Sequence, residues 1–292
     1  MIIAIVNQKG GCGKTTTAVN LSACLAARDF RTLLIDLDPQ SNATMGLGIE
    51  ADTEKSIHRV LVDDKFRIED AVSPTGVYNL DIIPATIMLS GADLDLADTM
   101  GRESILRNKI TAISDNYDYI LIDCAPSLSL LTLNSLAAAD EVLIPIQTHY
   151  YALEGVKLLF QTVNIVKSRL NYRLAILGIV PTFYDGRTAI SRDVLGGLRD
   201  YFGSRILRTV IRVNSKLAEA PSANEPIHIY APGSRGAEDY GKLADEIIAT
   251  GQILNRRDAP RGIGAEKNAE GKQDINNFAE SPDSSLHSSQ IL

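Results

Sequence analysis

Residues 1–16 of the chain read MIIAIVNQKGGCGKTT. The apolar run over residues 1–6 predicts a short buried strand, which leads directly into a loop rich in glycine. Gly10, Gly11 and Gly13 allow backbone N–H groups to close around a polyphosphate, and the helix that follows presents the positive end of its dipole to the same anion. The pattern therefore predicts a site for the phosphates of a nucleotide.

Two lysines distinguish this loop. Lys14 supplies a mobile charge to the phosphates, and the Thr15 hydroxyl suits a Mg²⁺ ligand. In the common pattern GxxxxGK[ST] the first position is glycine, whereas here Gln8 holds it and Lys9 follows. Because the loop wraps around the phosphates before Lys14 reaches them, Lys9 is poorly aimed at its own nucleotide; it either reaches the phosphate of another subunit or is a solvated lysine. The loop residues predicted to contact the nucleotide are Lys9, Gly10, Gly11, Cys12, Gly13, Lys14, Thr15 and Thr16.

Length and composition favour a globular protein. The chain has 292 residues, of which 45% are hydrophobic, enough for a large buried core. No apolar stretch approaches the roughly 20 residues that span a bilayer, and the strand and loop leave no room for a signal peptide, so we expect a cytoplasmic protein without membrane contact. The three cysteines lack metal-ligand spacing and are expected to be reduced thiols.

Strand-like and helical patterns alternate along the chain. Further apolar runs rich in β-branched residues occur at residues 32–36, 80–83, 119–123, 141–146 and 174–180, with helical patterns near 15–27, 90–108, 129–138 and 150–170. Such alternation predicts a doubly wound α/β fold, in which helices cover both faces of a mostly parallel sheet. We expect one domain over residues 1–254 and a disordered tail over residues 255–292, where glycine, serine and mixed charge dominate.

Carboxylates follow two of the predicted strands. Asp36 and Asp38 lie at the end of the second strand, and Asp123 ends the apolar run over residues 119–123. Open α/β sheets hold ligands at the carboxyl ends of their strands, where a carboxylate can hold Mg²⁺ or orient an attacking water. Strand geometry puts Asp36 and Asp38 on one side if the strand continues that far; alternatively, Asp38 is a turn residue before Pro39. The predicted metal ligands are Thr15, Asp38 and Asp123.

The charge of the chain is strongly segregated. The whole chain carries a formal charge of −7, which by itself argues against a nucleic acid as a partner. Residues 187–216, however, contain seven basic residues and only two acidic ones, which gives a local charge of +5. Such a segment suits contacts with DNA phosphates that do not read the bases, although its cations could instead pair with acids on their own helices.

Three stretches of the chain together resemble a known family. The loop reads KGGCGKT, which is the deviant Walker A form; residues 36–44 read DLDPQSNAT; and residues 183–240 contain FYDGRT, LAEAPS and YAPGSRGAE. On these residues the chain resembles the ParA/Soj partition ATPases, relatives of MinD, over about residues 1–250. The resemblance implies ATP and Mg²⁺ as cofactors, and a homodimer formed on ATP binding.

The resemblance also implies roles for individual residues. Lys9 would reach the nucleotide of the partner subunit, Lys14 would act on its own nucleotide, and Asp38 would be the hydrolysis residue. Asp123 matches the Walker B acid, which acts on Mg²⁺. The three catalytic residues implied are thus Lys9, Lys14 and Asp38. The residues implied in adenine binding are Pro181, Phe183 and Pro221, and the preference for ATP over GTP rests on the resemblance alone.

The function implied is that of a DNA partition ATPase with weak intrinsic activity. In the family, the ATP-bound dimer binds double-stranded DNA without sequence preference and hydrolyses ATP when a ParB-like centromere-binding protein stimulates it, so we expect association with the nucleoid. The DNA-binding candidates are Arg187, Arg208, Arg212 and Lys216. Relatives commonly read Pro-Arg-Asn-Val-Arg where this chain reads Arg212-Val-Asn-Ser-Lys216, so the individual cations are shifted or changed.

Other proteins share the deviant loop. The main alternative is a MinD-like ATPase that positions itself on a membrane or positions a protein cluster; the membrane form needs a C-terminal amphipathic helix with basic and bulky apolar faces, a pattern that residues 255–292 do not show. A bacterial tyrosine kinase needs a tyrosine-rich tail, whereas no tyrosine follows Tyr240. A nitrogenase-type reductase needs a cysteine pair for a cluster between subunits, and Cys124 has no suitable second cysteine.

Overall fold

A seven-stranded sheet forms the centre of the protein. The computed structural model describes residues 1–149 and 152–258. The strands are β1 Ile2–Ile5, β2 Thr32–Leu37, β3 Ser73–Pro74, β4 Leu80–Ile83, β5 Tyr119–Cys124, β6 Glu141–Gln147 and β7 Ala175–Thr182. Their order across the sheet is β3-β4-β2-β5-β1-β6-β7, and each of these pairings is parallel except that of β3 with β4.

Helices cover both faces of this sheet. Within the described residues they are α1 Lys14–Ala26, α2 Asn42–Gly46, α3 Ile57–Val62, α4 Ala92–Asp95, α5 Ile105–Ile110, α6 Leu130–Ala138, α7 Ala152–Arg169, α8 Ala189–Phe202, α9 Ser215–Glu219, α10 Ile227–Tyr230 and α11 Arg235–Asp258. Ile3 and Ile5 belong to the buried apolar cluster that contains residues of α1 and α11, whereas Ala4 and Val6 belong to the cluster that contains residues of α6 and α7. The predicted doubly wound α/β fold is therefore confirmed.

The three central strands bring the functional loops to one place. β1 lies between β5 and β6, and its register with β5 sets Ile5 opposite Asp123. β5 also pairs with β2, which sets Asp36 opposite Asp123. Because parallel strands end at the same edge of a sheet, the glycine-rich loop after β1 meets the acids that end β2 and β5.

The predicted helix over residues 90–108 is wrong. Two short helices, α4 and α5, replace it, with Gly101 between them in the left-handed region (φ 70°), a conformation that interrupts a right-handed helix. Helix α11 continues to Asp258, four residues beyond the domain boundary expected at residue 254. The rest of the predicted tail, residues 259–292, lies outside the described residues. None of the described helices is both long and apolar enough to cross a membrane.

Gly178 in β7 allows close packing against the segment that follows α8. A Cβ atom added at Gly178 would lie 2.5 Å from Cδ2 and 2.7 Å from Cγ of Leu207, a buried side chain. We expect Gly178→Ala to lower the free energy of unfolding by about 1–3 kcal/mol, because the core must shift to admit the methyl group. Equilibrium unfolding in urea measures this change.

The matched control is Gly197→Ala in α8, where nothing lies within 4 Å of the added Cβ. Since alanine has a higher helix propensity than glycine, this variant should be unchanged or more stable by up to about 1 kcal/mol. Equal stability of the two variants would contradict the packing argument.

Candidate active site

The phosphate loop, residues 8–15, connects β1 to α1. Gly11 and Gly13 have φ values of 71° and 88°, which only glycine adopts without strain. The carbonyl of Lys9 accepts hydrogen bonds from the Cys12 thiol (3.2 Å) and from Nζ of Lys14 (3.1 Å). The Lys14 side chain is buried, whereas Lys9 is exposed at the surface. The two lysines therefore face different environments, one inside the loop and one outside it.

Two buried side chains that the sequence analysis did not single out hold this loop against the sheet. Asn7 accepts a hydrogen bond from the N–H of Lys9 (3.0 Å) and donates one to the carbonyl of Pro145 in β6 (2.7 Å). The hydroxyl of Thr182, the last residue of β7, donates to the carbonyl of Cys12 (2.8 Å). Asn7 follows an apolar strand directly, a pattern that sequence could have revealed, but the contact of Thr182 spans 170 positions and needs the fold.

The structure brings Asp36, Asp38 and Asp123 together at the end of the sheet. Asp36 and Asp123 are fully buried, and Asp38 is 7% exposed. β2 ends at Leu37, so Asp36 and Asp38 meet through a turn and not by strand alternation: the N–H of Asp38 donates to Oδ1 of Asp36 (3.2 Å). The carboxylate of Asp38 also accepts from the N–H of Gln40 (2.9 Å).

Burial perturbs two of these acids in the same direction. It raises the pKa of Asp36 to about 6, an effect that hydrogen bonds from Thr44 oppose. Burial also raises the pKa of Asp123 well above its usual range, and the charge of Asp36 adds to the effect. The Thr15 hydroxyl and the Lys14 ammonium oppose this shift, yet neither oxygen of Asp123 completes a hydrogen bond with the described residues.

Two cavities adjoin the first turn of α1 and share Thr16. The first, of about 350 Å³, is mostly apolar, and its walls include Thr16, Phe183, Val213, Leu217 and Tyr240. The second, of about 590 Å³, includes Pro221. The side chain of Pro181 lines neither cavity, and its carbonyl accepts from the N–H of Ile211 (2.8 Å). Of the three residues implied in adenine binding, only Phe183 therefore lines the apolar cavity.

Comparison with known proteins identifies the family. A family model described as AAA domain matches residues 1–176. The chain is 53% identical over 251 residues to the sporulation initiation inhibitor protein Soj of Bacillus subtilis. This alignment covers 86% of this chain and 99% of that protein. It is 45% identical over 261 residues to the chromosome partitioning protein ParA of Myxococcus xanthus, over 89% of each chain. The chain belongs to the Soj/ParA family of partition ATPases.

The fold of this Soj/ParA member is also found among solved structures. Cobyrinic acid a,c-diamide synthase from Mycobacterium smegmatis, crystallised with ADP and magnesium, aligns with a TM-score of 0.74 and 34% identity. The alignment covers 91% of this chain and 99% of that one. Soj/ParA members and this synthase therefore share one α/β framework.

The acids of this Soj/ParA chain fit a divalent cation of the Mg²⁺ type. No group of three or more His, Cys, Asp or Glu side chains is placed to hold a metal in the part of the chain that the structure describes. Mg²⁺ usually takes one or two protein oxygens and completes its shell with phosphate and water. Asp123, which is buried, close to Thr15 and without a hydrogen bond to a described residue, could supply such an oxygen.

The four DNA-binding candidates differ in their surroundings. The guanidinium of Arg212 pairs with Asp239 and Glu238 of α11, each at 2.6 Å. Arg187 pairs with Asp185 (2.8 Å) on the loop after β7, and Lys216 pairs with Glu219 (2.7 Å) within α9. Arg208 is exposed and makes no ion pair with another described residue.

These contacts distinguish Arg212 from the other three DNA-binding candidates. Asp239 is nearly buried, and together with Glu238 it raises the pKa of Arg212. Removing Arg212 from this pairing would leave a buried charge uncompensated, so we assign Arg212 a structural role. The charge of +5 counted over residues 187–216 also leaves out Glu246 of α11, whose carboxylate accepts hydrogen bonds from the backbone N–H groups of Arg208 and Thr209.

The buried carboxylate of Asp123 should make the stability of the protein depend on pH. Its pKa is raised in the folded state, so the stability that its protonated form contributes is present at low pH and is lost as pH rises through the folded pKa. We expect Asp123→Asn to raise the free energy of unfolding of the nucleotide-free protein at pH 8, by an amount that shrinks toward pH 4. Urea unfolding at a series of pH values measures the difference.

If Asp123 holds Mg²⁺, the same variant should bind nucleotide about tenfold or more weakly in the presence of Mg²⁺, because the substitution removes a carboxylate; isothermal titration calorimetry measures the affinity. The pH series decides the stability prediction separately. If the free energies of unfolding of Asp123→Asn and of the unmodified protein change in parallel with pH, then the pKa of Asp123 is not raised by burial.

Proposed function

We propose that this chain is an Mg²⁺-dependent ATPase that forms a dimer around its nucleotides, binds DNA without sequence preference and hydrolyses ATP when a ParB-like partner stimulates it. One observation carries the catalytic part. The carboxylate of Asp123 is buried opposite Asp36 without a hydrogen bond to any described residue, and it lies close enough to Lys14 for that positive charge to lower its pKa. Burying like charges together costs free energy, which a bound divalent cation can recover. The solved synthase, crystallised with ADP and magnesium, supports this choice of ligands.

Different groups of the phosphate loop would bind different parts of the nucleotide. The backbone N–H groups at Gly11 and Gly13 would donate to the phosphates, and the ammonium of Lys14 would pair with them. Thr15 and Asp123 would hold Mg²⁺, which when bound neutralises the charge that develops on the phosphates. The apolar cavity beside Phe183 would take the adenine ring.

Asp38 would orient the attacking water. Its carboxylate is nearly buried at the same edge of the sheet, and a tight turn fixes its backbone against Asp36. Phosphoryl transfer depends mainly on positioning and on stabilising charge, so a carboxylate held in place can contribute by orienting the water.

The face around the phosphate loop supports dimerisation. Lys9 is exposed at the start of the loop, and two large apolar side chains are also exposed: Met45 of α2 is 54% exposed, and Leu128, on the loop after β5, is 43% exposed. An apolar surface beside an unburied cation suits a partner that brings both apolar contacts and phosphate. A second copy of this chain carrying its own nucleotide provides both.

Two substitutions test this dimer with one measurement. We expect Lys9→Ala to remain a monomer in MgATP, because the cation that reaches the partner's phosphates is lost. We expect Asp38→Ala to form a stable dimer in MgATP, because hydrolysis slows by at least about 100-fold while binding persists. Size exclusion with light scattering gives the mass of each variant.

The matched control is Lys65→Ala, another exposed lysine on a loop, which should dimerise like the unmodified protein. A dimer of Lys9→Ala in MgATP, or a monomer of Asp38→Ala, would overturn the proposed coupling of nucleotide and assembly.

Arg187, Arg208 and Lys216 are the cations that we propose for DNA binding. Tyr184 forms a β-bridge with Arg212, so the loop that carries Arg187 lies beside the segment that leads into α9, the helix of Lys216, at the carboxyl edge of the sheet. The pairs that Arg187 and Lys216 form with acids are exposed, and exposed ion pairs cost little to exchange for phosphate. A dimer on the nucleoid would present two copies of this surface.

Salt dependence tests the DNA contacts. Arg208→Ala and Arg187→Ala should weaken binding of the MgATP form to random-sequence DNA and lower the slope of log affinity against log salt by about one for each contact removed. Arg67→Ala is the control, since Arg67 is exposed and paired with an acid but lies in the segment before β3, at the edge of the sheet opposite β7. Affinity that barely changes between low and physiological salt would exclude phosphate contacts as its source.

A further inference from the structure

Asp36 is held by more hydrogen bonds than the acids beside it. Its Oδ2 accepts from the N–H of Thr44 (2.8 Å) and from the hydroxyl of Thr44 (2.7 Å), and its Oδ1 accepts from the N–H of Asp38 (3.2 Å). These donors lie at the two ends of residues 38–44, which comprise the turn after β2 and the beginning of α2 and which we call the acidic loop. One buried carboxylate therefore ties together the beginning and the end of the acidic loop.

The hydroxyl of Thr44 connects this arrangement to another strand. It donates to Asp36 and accepts from the N–H of Ala85 (3.0 Å), two residues after β4. Thr44 and Ala85 are fully buried. Because the Ala85 N–H faces the oxygen of this hydroxyl, the hydroxyl proton is directed toward Asp36.

The other hydrogen bonds that the acidic loop makes with described residues are local, such as that from the N–H of Gln40 to the carboxylate of Asp38 (2.9 Å). Within it, the N–H of Ser41 donates to the carbonyl of Asp38 (2.9 Å), and Ser41 has a φ of 53°, a conformation that is uncommon for a residue other than glycine. A short turn with a residue in this region persists when its surroundings determine it. The contacts of Thr44 with Asp36 and Ala85 provide such surroundings.

We infer that Thr44 is a positioning residue for hydrolysis: its hydroxyl fixes the Asp36 carboxylate, which fixes the loop that carries Asp38. This inference rests on the proposed function, in which Asp38 orients the attacking water. Thr44 itself touches neither water nor phosphate in this account. It acts through Asp36, and a displacement of about 1 Å at a catalytic group is enough to slow a reaction about 100-fold.

The test compares variants that separate the hydroxyl from the volume of the side chain. Thr44→Val keeps the shape and removes the hydroxyl, Thr44→Ser keeps the hydroxyl, and Thr44→Ala is a second variant without it. Thr32→Val is the matched control: Thr32 is buried in the same strand as Asp36, and its hydroxyl bonds only to the backbone of Phe30 (3.0 Å). The full chain is used, with MgATP as the substrate.

We expect Thr44→Val and Thr44→Ala to lower kcat by roughly 10- to 100-fold while KM for MgATP stays within about threefold. Thr44→Ser should keep kcat within about threefold of the unmodified protein. Thr32→Val should lose thermal stability without losing kcat. Unchanged kcat in Thr44→Val, an equal loss in Thr44→Ser, or a loss that appears in KM alone would each overturn the inference.

Hydrogen exchange provides a second readout that does not need turnover. In Thr44→Val the backbone N–H groups of residues 38–44 should exchange about tenfold or more faster than in the unmodified protein, whereas those of β5 should not change. If the unmodified protein does not hydrolyse ATP, the proposed function fails, and this arm still decides whether Thr44 holds the loop. Equal exchange in the two proteins would overturn the inference by itself.

Discussion

The site depends on the buried pair of acids that face each other on the neighbouring strands β2 and β5. Their register sets Asp36 opposite Asp123, and both carboxylates are closed to solvent. Two apolar side chains at these positions would pack without this electrostatic cost, so the pair has no structural advantage. A cation bound beside the pair would recover part of the free energy that burial costs. The positive charge of Lys14 offsets part of this repulsion, since it lowers the pKa of Asp123.

The arrangement of the site depends on contacts with distant parts of the chain. Thr182 at the end of β7 holds the carbonyl of Cys12, and Asn7 links the phosphate loop to β6. Thr44 and Ala85 hold Asp36 from the other side of the sheet. The groups proposed to bind phosphate and the carboxylate proposed to orient water are thus positioned from opposite halves of one sheet. A rigid parallel sheet between them keeps the two sets in a constant relation.

Acidic side chains of α11 contact part of the basic segment, residues 187–216. Counted along the chain, residues 187–216 are strongly cationic, but Glu238, Asp239 and Glu246 of α11 contact Arg212 and the backbone of Arg208. The surface that remains cationic is smaller than the sequence suggests and is concentrated in exposed side chains. Such a surface favours weak, salt-sensitive contacts with a polyanion over tight ones.

Sequence by itself determined the fold class, the phosphate loop and the acids at the ends of two strands, because these depend on local patterns: apolar runs of set length, glycines where φ is positive, and acids directly after buried strands. The three-dimensional structure decided that Asp36 and Asp38 meet through a turn, that Arg212 is paired with α11, and that the helix over residues 90–108 is broken at Gly101. It also decided which side chains hold the loops, such as Thr182 and Thr44. These partners are separated from their contacts by up to 170 positions, and only packing, which no local pattern records, brings such distant residues together.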